Sequence, residues 1–471
     1  MRSANTALVS VLAGYIPVAS AAIADDKAVA EAEARPTGIP EQSIARSLPH
    51  NGDLFGTRAA LAARGITVAI NYGGEVFGVA SGGITRGLRY SGQLETALDI
   101  DFDKLSGVKG LTFHANALQL HGRGVSTGSL GVFDPVTNYE ATPSTRLFEV
   151  WLEQALFEDK LAVRFGQMRV DYDGEFVNAP SAGLFISASF GWPSFLGSNL
   201  PSGGVTYPII APGVRIKFKP TDKLTLLVGA YNDDPAGPCD SDPQVCNNDG
   251  LKFRLRDNPF VIGEVQYRYG DNKVADGFSG LLKVGGFADL GKFDDKRFGT
   301  DGLSLADPAS NRIARRYHQN HGVYAVIDQQ VYRPSASVSS DNGIYAFGRI
   351  AGLPSDRNTI EFAFDAGLRF SGLVPGRPDD EFGVAFAYNK VSKALAGLDR
   401  DTVRLGGGLS PVRSSEVLAE VTYKAQIVPG LIIQPDVQYV WRPGGNAQDP
   451  NDATRPVANA LVLGVRTVLN Y

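Results

Sequence analysis

Hydrophobic and polar side chains alternate with a period of two through most of this sequence, beginning at Ile66. In one such stretch Leu94 and Thr96 alternate with Gln93 and Glu95. Successive side chains of a β-strand point to opposite faces, so this alternation indicates strands with one apolar and one polar face. The pattern predicts sixteen strands, at residues 66–78, 88–102, 111–121, 146–157, 161–170, 213–220, 223–232, 258–269, 278–290, 319–333, 342–351, 360–371, 381–391, 414–425, 430–442 and 458–470.

The connections between the predicted strands alternate between short and long. Residues 158–160 and 220–222 form short connections, whereas residues 123–145 and 171–212 form long ones. Tight turns at one rim and long loops at the other are typical of outer-membrane barrels, and many predicted strands have the roughly 9 to 11 residues that cross a bilayer at a tilt. We therefore predict an all-β fold, a 16-stranded antiparallel transmembrane β-barrel, since only closed β-structures satisfy their backbone groups in lipid.

The last predicted strand ends on an aromatic residue, Tyr471. An amphipathic final strand that closes on an aromatic is expected of a barrel inserted by the outer-membrane assembly machinery. The alternative is a coincidental edge strand in another kind of sheet.

The first 64 residues lack the strand pattern. Residues 1–24 combine a basic start, a short apolar run and an Ala-Ile-Ala end, which predicts a signal peptide, with an ordinary N-terminal helix as the alternative. Residues 25–64 are predicted to be a flexible lead-in with one short helix at Asp53–Ala63. The barrel is predicted over residues 65–471.

Composition agrees with a β-protein in a membrane. Glycine accounts for 54 of the 471 residues, an excess that argues against a helical protein. Beyond the first 25 residues no apolar run approaches the roughly 18 residues of a transmembrane helix. The net charge is −5 and Lys and Arg do not cluster, so nothing predicts nucleic-acid binding. Mean hydropathy is −0.08, which an apolar outer face averaged with a polar inner face explains.

Cys239 and Cys246 are the two cysteines of the chain, and they lie in a turn-rich segment. In the oxidising compartment that a signal peptide implies, we predict that they form a short-loop disulfide. Asp240 and Asp242 could contribute to a calcium site, but calcium needs six or more oxygen ligands, so a solvated acidic loop is the preferred interpretation. No cofactor and no metal site is predicted.

Several segments, spread in order over nearly the whole mature chain, resemble the carbohydrate-selective porins of the OprB type: Gly65–Tyr72, Phe113–Gly124, Arg146–Gln154, Phe190–Pro193, Asn199–Gly204, Pro354–Asn358 and Gly376–Asp380. The resemblance implies a sixteen-stranded channel in a Gram-negative outer membrane for passive diffusion of sugars such as glucose. The chain departs from the family in its terminal Tyr471, where Phe is commoner, and in its cysteine pair. Outer-membrane lipid and neutral sugars are the implied partners, and monomer and homotrimer stay open.

A channel that prefers sugars needs aromatic faces for stacking and fixed donors and acceptors to replace water. The strand at 146–157 places Glu149, Trp151 and Glu153 on successive inward positions, which makes Trp151 a candidate for solute contact. Charged residues on nearby strands are candidates for the same constriction, or simply solvate the water column as in any porin: Glu75, Arg89, Glu95 and Arg164.

The long segment Asp171–Pro212 is too apolar to lie in water as a simple loop. We predict that it folds into the barrel and narrows it, with Trp192 or Phe195 near the constriction. The alternative is that its aromatic residues only anchor it to the inner wall. Arg123, at the mouth of another long loop, could complete the constriction.

Two other functions compete with a sugar-selective porin. A general porin without sugar preference would share every feature of the fold. An outer-membrane lipase or esterase would need a nucleophile beside a base, and His114, His121 and Ser126 are the residues that suggest one, but no G-x-S-x-G sequence is present. A plugged 22-stranded transporter needs a larger chain and a folded plug domain.

Overall fold

A computed structural model gives the structure of the chain and describes residues 39–48, 52–270, 277–334, 342–407 and 409–471. Within these residues the backbone forms twenty strands, numbered here in chain order. They are β1 (Ile66–Gly83), β2 (Gly87–Asp101), β3 (Leu111–Gly122), β4 (Ser144–Leu156), β5 (Leu161–Met168), β6 (Ala211–Phe218), β7 (Leu224–Asn232), β8 (Pro259–Tyr269), β9 (Gly280–Asp289), β10 (Phe293–Gly299), β11 (Ala314–Tyr317), β12 (Asn320–Tyr332), β13 (Gly343–Gly352), β14 (Ile360–Ser371), β15 (Glu381–Val391), β16 (Ser415–Val428), β17 (Leu431–Trp441), β18 (Gln448–Asp449), β19 (Asp452–Pro456) and β20 (Ala458–Asn470).

Sixteen of these strands close into one antiparallel barrel, whereas β10 with β11 and β18 with β19 form two small sheets in the connections. Tyr72 of β1 lies opposite Leu469 of β20, and this pairing closes the ring. The predicted fold class is confirmed, and each predicted strand overlaps one barrel strand. The largest difference is at the end of β1, which continues to Gly83 instead of residue 78. Its last residues pair with β20 across register shifts at Ser81, which alternation along one strand does not reveal.

The two faces of the barrel strands differ as the alternation predicted. Glu416 and Glu420 of β16 point inward and are at most 1% exposed, whereas Val421 of the same strand points outward and is 42% exposed. Val284 and Val323 on other strands are 63% and 67% exposed on the outer face. The outer face is therefore apolar and the inner face polar, as lipid outside and a wet lumen inside require.

The two rims of the barrel also differ. One rim carries the long connections, among them residues 123–143, 169–210, 233–258 and 290–319, while the opposite rim carries tight turns such as residues 157–160. In outer-membrane barrels long loops face the cell exterior and short turns face the periplasm.

The helices lie before β1 or in the connections between strands: α1 (Thr57–Ala63), α2 (Phe102–Ser106), α3 (Ser194–Gly197), α4 (Pro243–Cys246), α5 (Lys393–Gly406) and α6 (Pro443–Asn446). Single turns of 3₁₀ helix lie at Ile44–Ser47, Tyr172–Gly174, Pro180–Leu184, Ala188–Phe190 and Pro201–Gly203, and a π-helical turn lies at Ser126–Leu130. Among the helices of the described residues, none has the length and apolar character needed to cross a membrane.

The helix predicted at Asp53–Ala63 begins at Thr57 in the structure. Leu54 and Phe55 have positive φ angles of 47° and 61°, which a right-handed helix does not contain. The predicted signal peptide, residues 1–24, lies outside the described residues.

The segment before β1 packs against the seam where the barrel closes. The hydroxyl of Tyr471 donates to the carbonyl of Gly52 at 2.9 Å. The guanidinium carbon of Arg58 lies 4.9 Å from the centre of the Tyr471 ring, a cation–π distance.

An apolar core lies inside the barrel, where long connections meet the inner wall. Phe185 and Phe190 of the β5–β6 connection pack against Phe347 of β13, with ring centres 5.6 Å and 6.1 Å away. Phe176 and Phe195 of the same connection are fully buried. This connection thus supplies much of the packing that a soluble protein would place between its layers.

Candidate functional site

The β5–β6 loop (residues 169–210) lies inside the barrel, held by carboxylates on strands far from its own ends. The backbone N–H of Val177 donates to Glu264 of β8 at 2.9 Å, and the N–H of Ile186 donates to Glu420 of β16 at 2.6 Å. The amide of Ser181 donates to Asp328 of β12 at 2.6 Å. These three carboxylates come from well-separated strands of the wall, so the loop crosses the lumen.

Arg349 of β13 also attaches the β5–β6 loop, by donating hydrogen bonds to its carbonyl groups. Its guanidinium donates to the carbonyls of Val177 at 3.0 Å, Gly191 at 3.2 Å and Ser189 at 2.5 Å, and it pairs with Asp365 at 2.8 Å. Charged donors and acceptors thus satisfy backbone groups of a loop that is shielded from water.

The β3–β4 loop (residues 123–143) is held inside the barrel in the same way. The amide of Asp134 donates to Glu416 at 2.7 Å, and the Thr137 hydroxyl donates to Glu75 at 2.8 Å. Burial raises the pKa of Asp134 above its ordinary value, against the hydrogen bonds that it receives.

Glu75, a predicted constriction residue, is 1% exposed and pairs with Arg466 of β20 at 2.8 Å. Its carboxylate also accepts from Ser91 at 2.8 Å. The structure therefore gives Glu75 an anchoring position, instead of the predicted one facing solute or the water column.

Trp151 lies at the centre of a group of side chains on β3, β4, β5 and the β5–β6 loop, called here the Trp151 cluster (His114, Trp151, Arg164 and Tyr172). The His114 ring stacks on Trp151 at 5.0 Å and 23°, and the Arg164 guanidinium lies 4.0 Å from the Trp151 ring centre. Because β4 lies between β3 and β5, these two side chains reach Trp151 from opposite sides. Tyr172 of the β5–β6 loop contacts the ring edge-on at 5.4 Å.

The surroundings of Trp151 differ from the predicted contact with solute. Trp151 is 7% exposed, and both faces of its indole are covered by protein. The predicted stacking of a sugar on these faces has no room in this arrangement.

An alternating set of charges extends from the cluster along the wall. Glu153 pairs with Arg164 and Arg215, both at 2.7 Å. Glu175 of the β5–β6 loop pairs with Arg215 at 2.8 Å and Lys217 at 2.6 Å. Burial alone would raise the pKa of Glu175, but these cations hold it well below its usual range.

The inner wall of β1 to β4, in the cluster and beside it, carries buried polar atoms that lack a hydrogen-bond partner within the described ranges. They are Asn71 Nδ2, Gln93 Oε1, Glu95 Oε2, Asp99 Oδ2, His114 Nε2, Glu149 Oε2 and Trp151 Nε1. The strand register pairs Asn71 with Glu95 and His114 with Trp151, so the atoms lie on adjacent strands.

The other predicted residue on this wall is Glu149, which is fully buried. It lies 3.4 Å from the Arg169 guanidinium, and its amide donates to Asn116 at 2.7 Å. The Asn116 amide group in turn donates to the first oxygen of Glu95 at 2.7 Å. The structure thus brings Glu95, Glu149, Trp151, Glu153 and Arg164 to one region.

Arg89 and Arg123 lie away from the Trp151 cluster, which corrects their predicted assignment to the same constriction. Arg89 shares its inward phase with Asp99, the partner of His114, but lies ten residues further along β2, roughly 33 Å at 3.3 Å per residue. Arg123 follows the end of β3, nine residues from His114. Both arginines are exposed at the long-loop rim.

Trp192 is also outside the Trp151 cluster. Its indole N–H donates to the carbonyl of Gly203 at 2.9 Å, and its ring borders a cavity of about 420 Å³, called here the Trp192 cavity. Phe195 is fully buried in the core of the loop. Trp192, 7% exposed, thus lines the cavity, whereas Phe195 does not reach it.

Cys239 and Cys246 are joined by a disulfide in the β7–β8 loop (residues 233–258), with their Cα atoms 6.2 Å apart. Among the described residues, no group of three or more His, Cys, Asp or Glu side chains is arranged to hold a metal ion.

The residues that suggested a hydrolase are not assembled into a triad. His114 Nδ1 lies 2.8 Å from Asp99, but its other ring nitrogen meets no hydroxyl in the part of the chain described. His121 lies on the outer face beside Tyr90 at 3.2 Å, and Ser126 accepts from a loop amide.

The anchoring carboxylates Glu264, Asp328, Glu416 and Glu420 were not identified as functional from the sequence. They belong to the inward polar phase of their strands, which is the signal that was available. Alternation predicts on which face of the barrel wall a side chain lies, but it does not predict which loop contacts that side chain.

A closed barrel of sixteen antiparallel strands, with an apolar outer face and long loops folded into a polar lumen, is the architecture of an outer-membrane porin. Residues 85–471 match the family described as carbohydrate-selective porin, OprB family. The chain belongs to this family, and it is an outer-membrane channel for carbohydrates in a Gram-negative bacterium.

Individual relatives agree with this membership. Porin B of Pseudomonas aeruginosa is 23% identical over 436 residues, which cover 88% of this chain and 89% of that protein. The putative porin QuiX of Acinetobacter baylyi is 20% identical over 405 residues, which cover 82% and 84%. A high-pH structure of Pseudomonas putida OprB superposes with a TM-score of 0.76 at 23% identity and covers 89% of this chain and 98% of that one.

Proposed function

We propose that the channel passes neutral monosaccharides of the glucose type, and that their selection occurs at the wall of β1 to β4 beside the Trp151 cluster. The observation that carries this proposal is the set of inward polar side chains on that wall, several of which have a buried atom without a hydrogen-bond partner among the described residues. A buried polar group without a partner is costly, so side-chain rotations that turn these atoms to the lumen, where a hydroxylated solute supplies the missing hydrogen bonds, are favoured.

The unpaired atoms have the composition that a hydroxylated solute needs. Asn71 Nδ2 and Trp151 Nε1 are donors, and Gln93 Oε1, Glu95 Oε2, Asp99 Oδ2 and Glu149 Oε2 are acceptors. His114 Nε2 acts as an acceptor when Nδ1 carries the proton directed at Asp99. Each sugar hydroxyl both donates and accepts, so a neutral polyol can pair with donors and acceptors alike as it moves along this wall, which an ion of one sign cannot.

Trp151 contributes in this proposal through its indole N–H and not through its faces, because His114 and Arg164 cover them. Arg164 and Glu153 keep the ring in place and supply a balanced charge beside the path of the solute. This differs from the stacking role that the sequence suggested.

The test is the inhibition of single-channel conductance by added glucose, together with liposome swelling. Trp151→Phe keeps the aromatic ring and removes the N–H, so glucose should inhibit about three- to tenfold more weakly, the value of one lost hydrogen bond. Trp441→Phe is the matched control, since Trp441 lies on the outer face and is 40% exposed.

Unchanged inhibition in Trp151→Phe would remove Trp151 from the site. If wild-type channels admitted glucose no faster than a zwitterion of equal size, the general porin without sugar preference would replace the selective one.

We also propose that the assembly machinery recognises β20 through its terminal aromatic residue, Tyr471. The outward apolar face serves contact with outer-membrane lipid, and the same face can join copies into a homotrimer. The mass of the protein–detergent complex distinguishes trimer from monomer.

A further inference from the structure

The disulfide-closed tip of the β7–β8 loop does more than staple its own ends. Cys239 and Cys246 are bonded to each other, and α4 (Pro243–Cys246) lies between them. Asp242 precedes this helix and accepts from the amide of Gln244 at 2.9 Å, so the short helix has a defined start. The tip therefore presents Asp242 and Gln244 in fixed positions.

Both of these residues bind the β3–β4 loop. The amide of Thr142 donates to Gln244 Oε1 at 2.7 Å, and the Thr142 hydroxyl donates to Asp242 Oδ2 at 3.1 Å. Arg146 of β4 donates to the carbonyl of Gln244 at 3.3 Å and to that of Pro208 at 2.7 Å. Arg146 thus ties the tip to the β5–β6 loop as well.

The three loops enclose the Trp192 cavity. Its volume of about 420 Å³ lies within the roughly 300 to 1,000 Å³ of small-molecule sites. Phe133, Trp192 and Tyr207 contribute aromatic surface, and Asn138, Asp242 and Gln244 contribute polar groups. Aromatic surface with a few fixed hydrogen-bonding groups is the combination that binds a saccharide ring.

We propose that this cavity is an outer saccharide subsite at the long-loop rim, and that the Cys239–Cys246 disulfide maintains its polar wall. The inference rests on the proposed sugar selectivity of the channel. Phe133 and Tyr207, both half-buried, provide the ring surface, because Trp192 is only 7% exposed and its N–H is already bonded to Gly203. The carboxylate of Asp242, at the cavity, accepts hydrogen bonds from hydroxyl groups and disfavours anions.

Reduction of the disulfide should weaken this subsite without opening the barrel. Dithiothreitol converts the S–S bond into two Cys thiols and is itself oxidised to a cyclic disulfide. The tip between the two cysteines then loses a covalent constraint and gains conformational freedom. Asp242 and Gln244 are thereby held less well against Thr142, while the barrel strands keep all their pairings.

The experiment uses one inserted wild-type channel before and after dithiothreitol is added on the long-loop side. We expect glucose to inhibit conductance about three- to tenfold more weakly after reduction, with little change in conductance without sugar, as for one or two lost hydrogen bonds. The Cys239→Ala/Cys246→Ala variant should behave like the reduced channel and should not respond to the reagent.

Val245→Ala is the matched control, since Val245 lies in the same short helix, is 51% exposed and does not border the cavity. Gln244→Ala tests the wall directly in a channel whose disulfide is intact, and it should weaken glucose inhibition to a similar extent. Equal glucose inhibition before and after reduction, or in Gln244→Ala, would overturn the proposal.

The test of the outer subsite can be distinguished from the test of the inner site, which is the wall of β1 to β4 beside the Trp151 cluster. If Trp151→Phe has no effect while reduction weakens glucose inhibition, the inner site is wrong and the outer subsite stands. If only Trp151→Phe has an effect, the outer subsite is wrong.

Discussion

The two tryptophans of the lumen are equally buried, each 7% exposed, but they are held in different ways. Trp151 lies on a barrel strand, covered on both faces by His114 and Arg164. Trp192 lies on a loop, where its ring lines a cavity and its N–H is bonded to Gly203. An aromatic residue on a polar strand face is thus packed into the wall, while the half-buried rings at the cavity, Phe133 and Tyr207, come from loops that fold into the barrel.

The difference follows from how each region is held. Three of the four residues of the Trp151 cluster, all but Tyr172, sit on strands whose backbones are paired on both sides, so these side chains can pack closely against each other. The Trp192 cavity is built from loops whose backbones depend on inward side chains of distant strands, such as Arg349 and Glu420. The inner site should therefore respond to changes of its own residues, and the outer site to changes in its anchors.

The largest effect is expected from Arg349→Met, which removes three hydrogen bonds to the β5–β6 loop and leaves Asp365 without its partner. Loss of one member of a buried ion pair destabilises by about 3 to 5 kcal/mol. The loop should detach, single-channel conductance should rise, and the Trp192 cavity should be lost.

Arg316→Met is the control for this change, because Arg316 and Asp294 form an ion pair at 2.9 Å in which both side chains are more than half exposed. Exposed pairs contribute about 0 to 1 kcal/mol, so conductance should not change. Wild-type conductance in Arg349→Met would mean that the loop is held without this arginine.

The strand architecture was predictable from the sequence because each strand carries its own period-two signal. The inward position of the β5–β6 loop was predictable because Phe176, Phe185 and Phe190 make it too apolar for water. The strand residues that anchor this loop were not predictable, because Ile186 and its partner Glu420 are 234 residues apart in the sequence.

The predicted site residues on the strands do lie on the inner face of the barrel. The prediction did not include their level along the barrel axis. Alternation placed Arg89 and Glu95 on the same inner face, but it carries no information on distance along the barrel axis. The position of a residue along the barrel axis is set by the register between neighbouring strands. This register depends on turns and bulges, which do not change the alternation. The covering of Trp151 likewise depends on side chains of two other strands.

Arg164→Ala should have the next largest effect, because it uncovers one face of Trp151. Glu153 keeps Arg215 as its ion-pair partner at 2.7 Å, so no carboxylate is left unpaired. An exposed indole face adds a stacking surface of about 0.5 to 1.5 kcal/mol, so glucose should inhibit conductance about two- to tenfold more strongly.

Arg377→Ala is the matched control, since Arg377 lies in a short-rim turn and pairs with Asp380. Weaker glucose inhibition in Arg164→Ala would show that the guanidinium itself contacts the sugar, and Arg164 would then be a binding residue and not only a cover for Trp151.

A smaller effect is expected from Glu140→Gln, and it depends on pH. Glu140 accepts from the amides of Val125 and Ser126, both at 3.0 Å, and burial raises its pKa from 4.5 to about 7. The docked β3–β4 loop therefore binds more protons than a released loop between pH 4.5 and 7, so docking weakens as pH rises through this window. Wild-type channels should bind glucose more weakly at pH 8 than at pH 5.

In Glu140→Gln this pH dependence should be reduced, while the effects of other titrating groups remain. The measurement is the ratio of half-inhibiting glucose concentrations, wild type over variant, at the two pH values. A ratio that does not change with pH would show that Glu140 does not control the loop.

The smallest effect is expected from Arg89→Gln, and it tests how far apart the two regions act. Arg89 is exposed at the long-loop rim, and its inward phase alone would have grouped it with the Trp151 cluster. At roughly 33 Å along the strand from Asp99, it is more than three Debye lengths of about 10 Å away at 0.1 M salt, so its charge is screened from the inner site. Glucose inhibition should change by less than about twofold, whereas the preference for small anions over cations at low salt should fall, because rim charges act through the field at the mouth. A large change in glucose inhibition at 0.1 M salt would place Arg89 in contact with the sugar, and the two regions would then have to be treated as one continuous site.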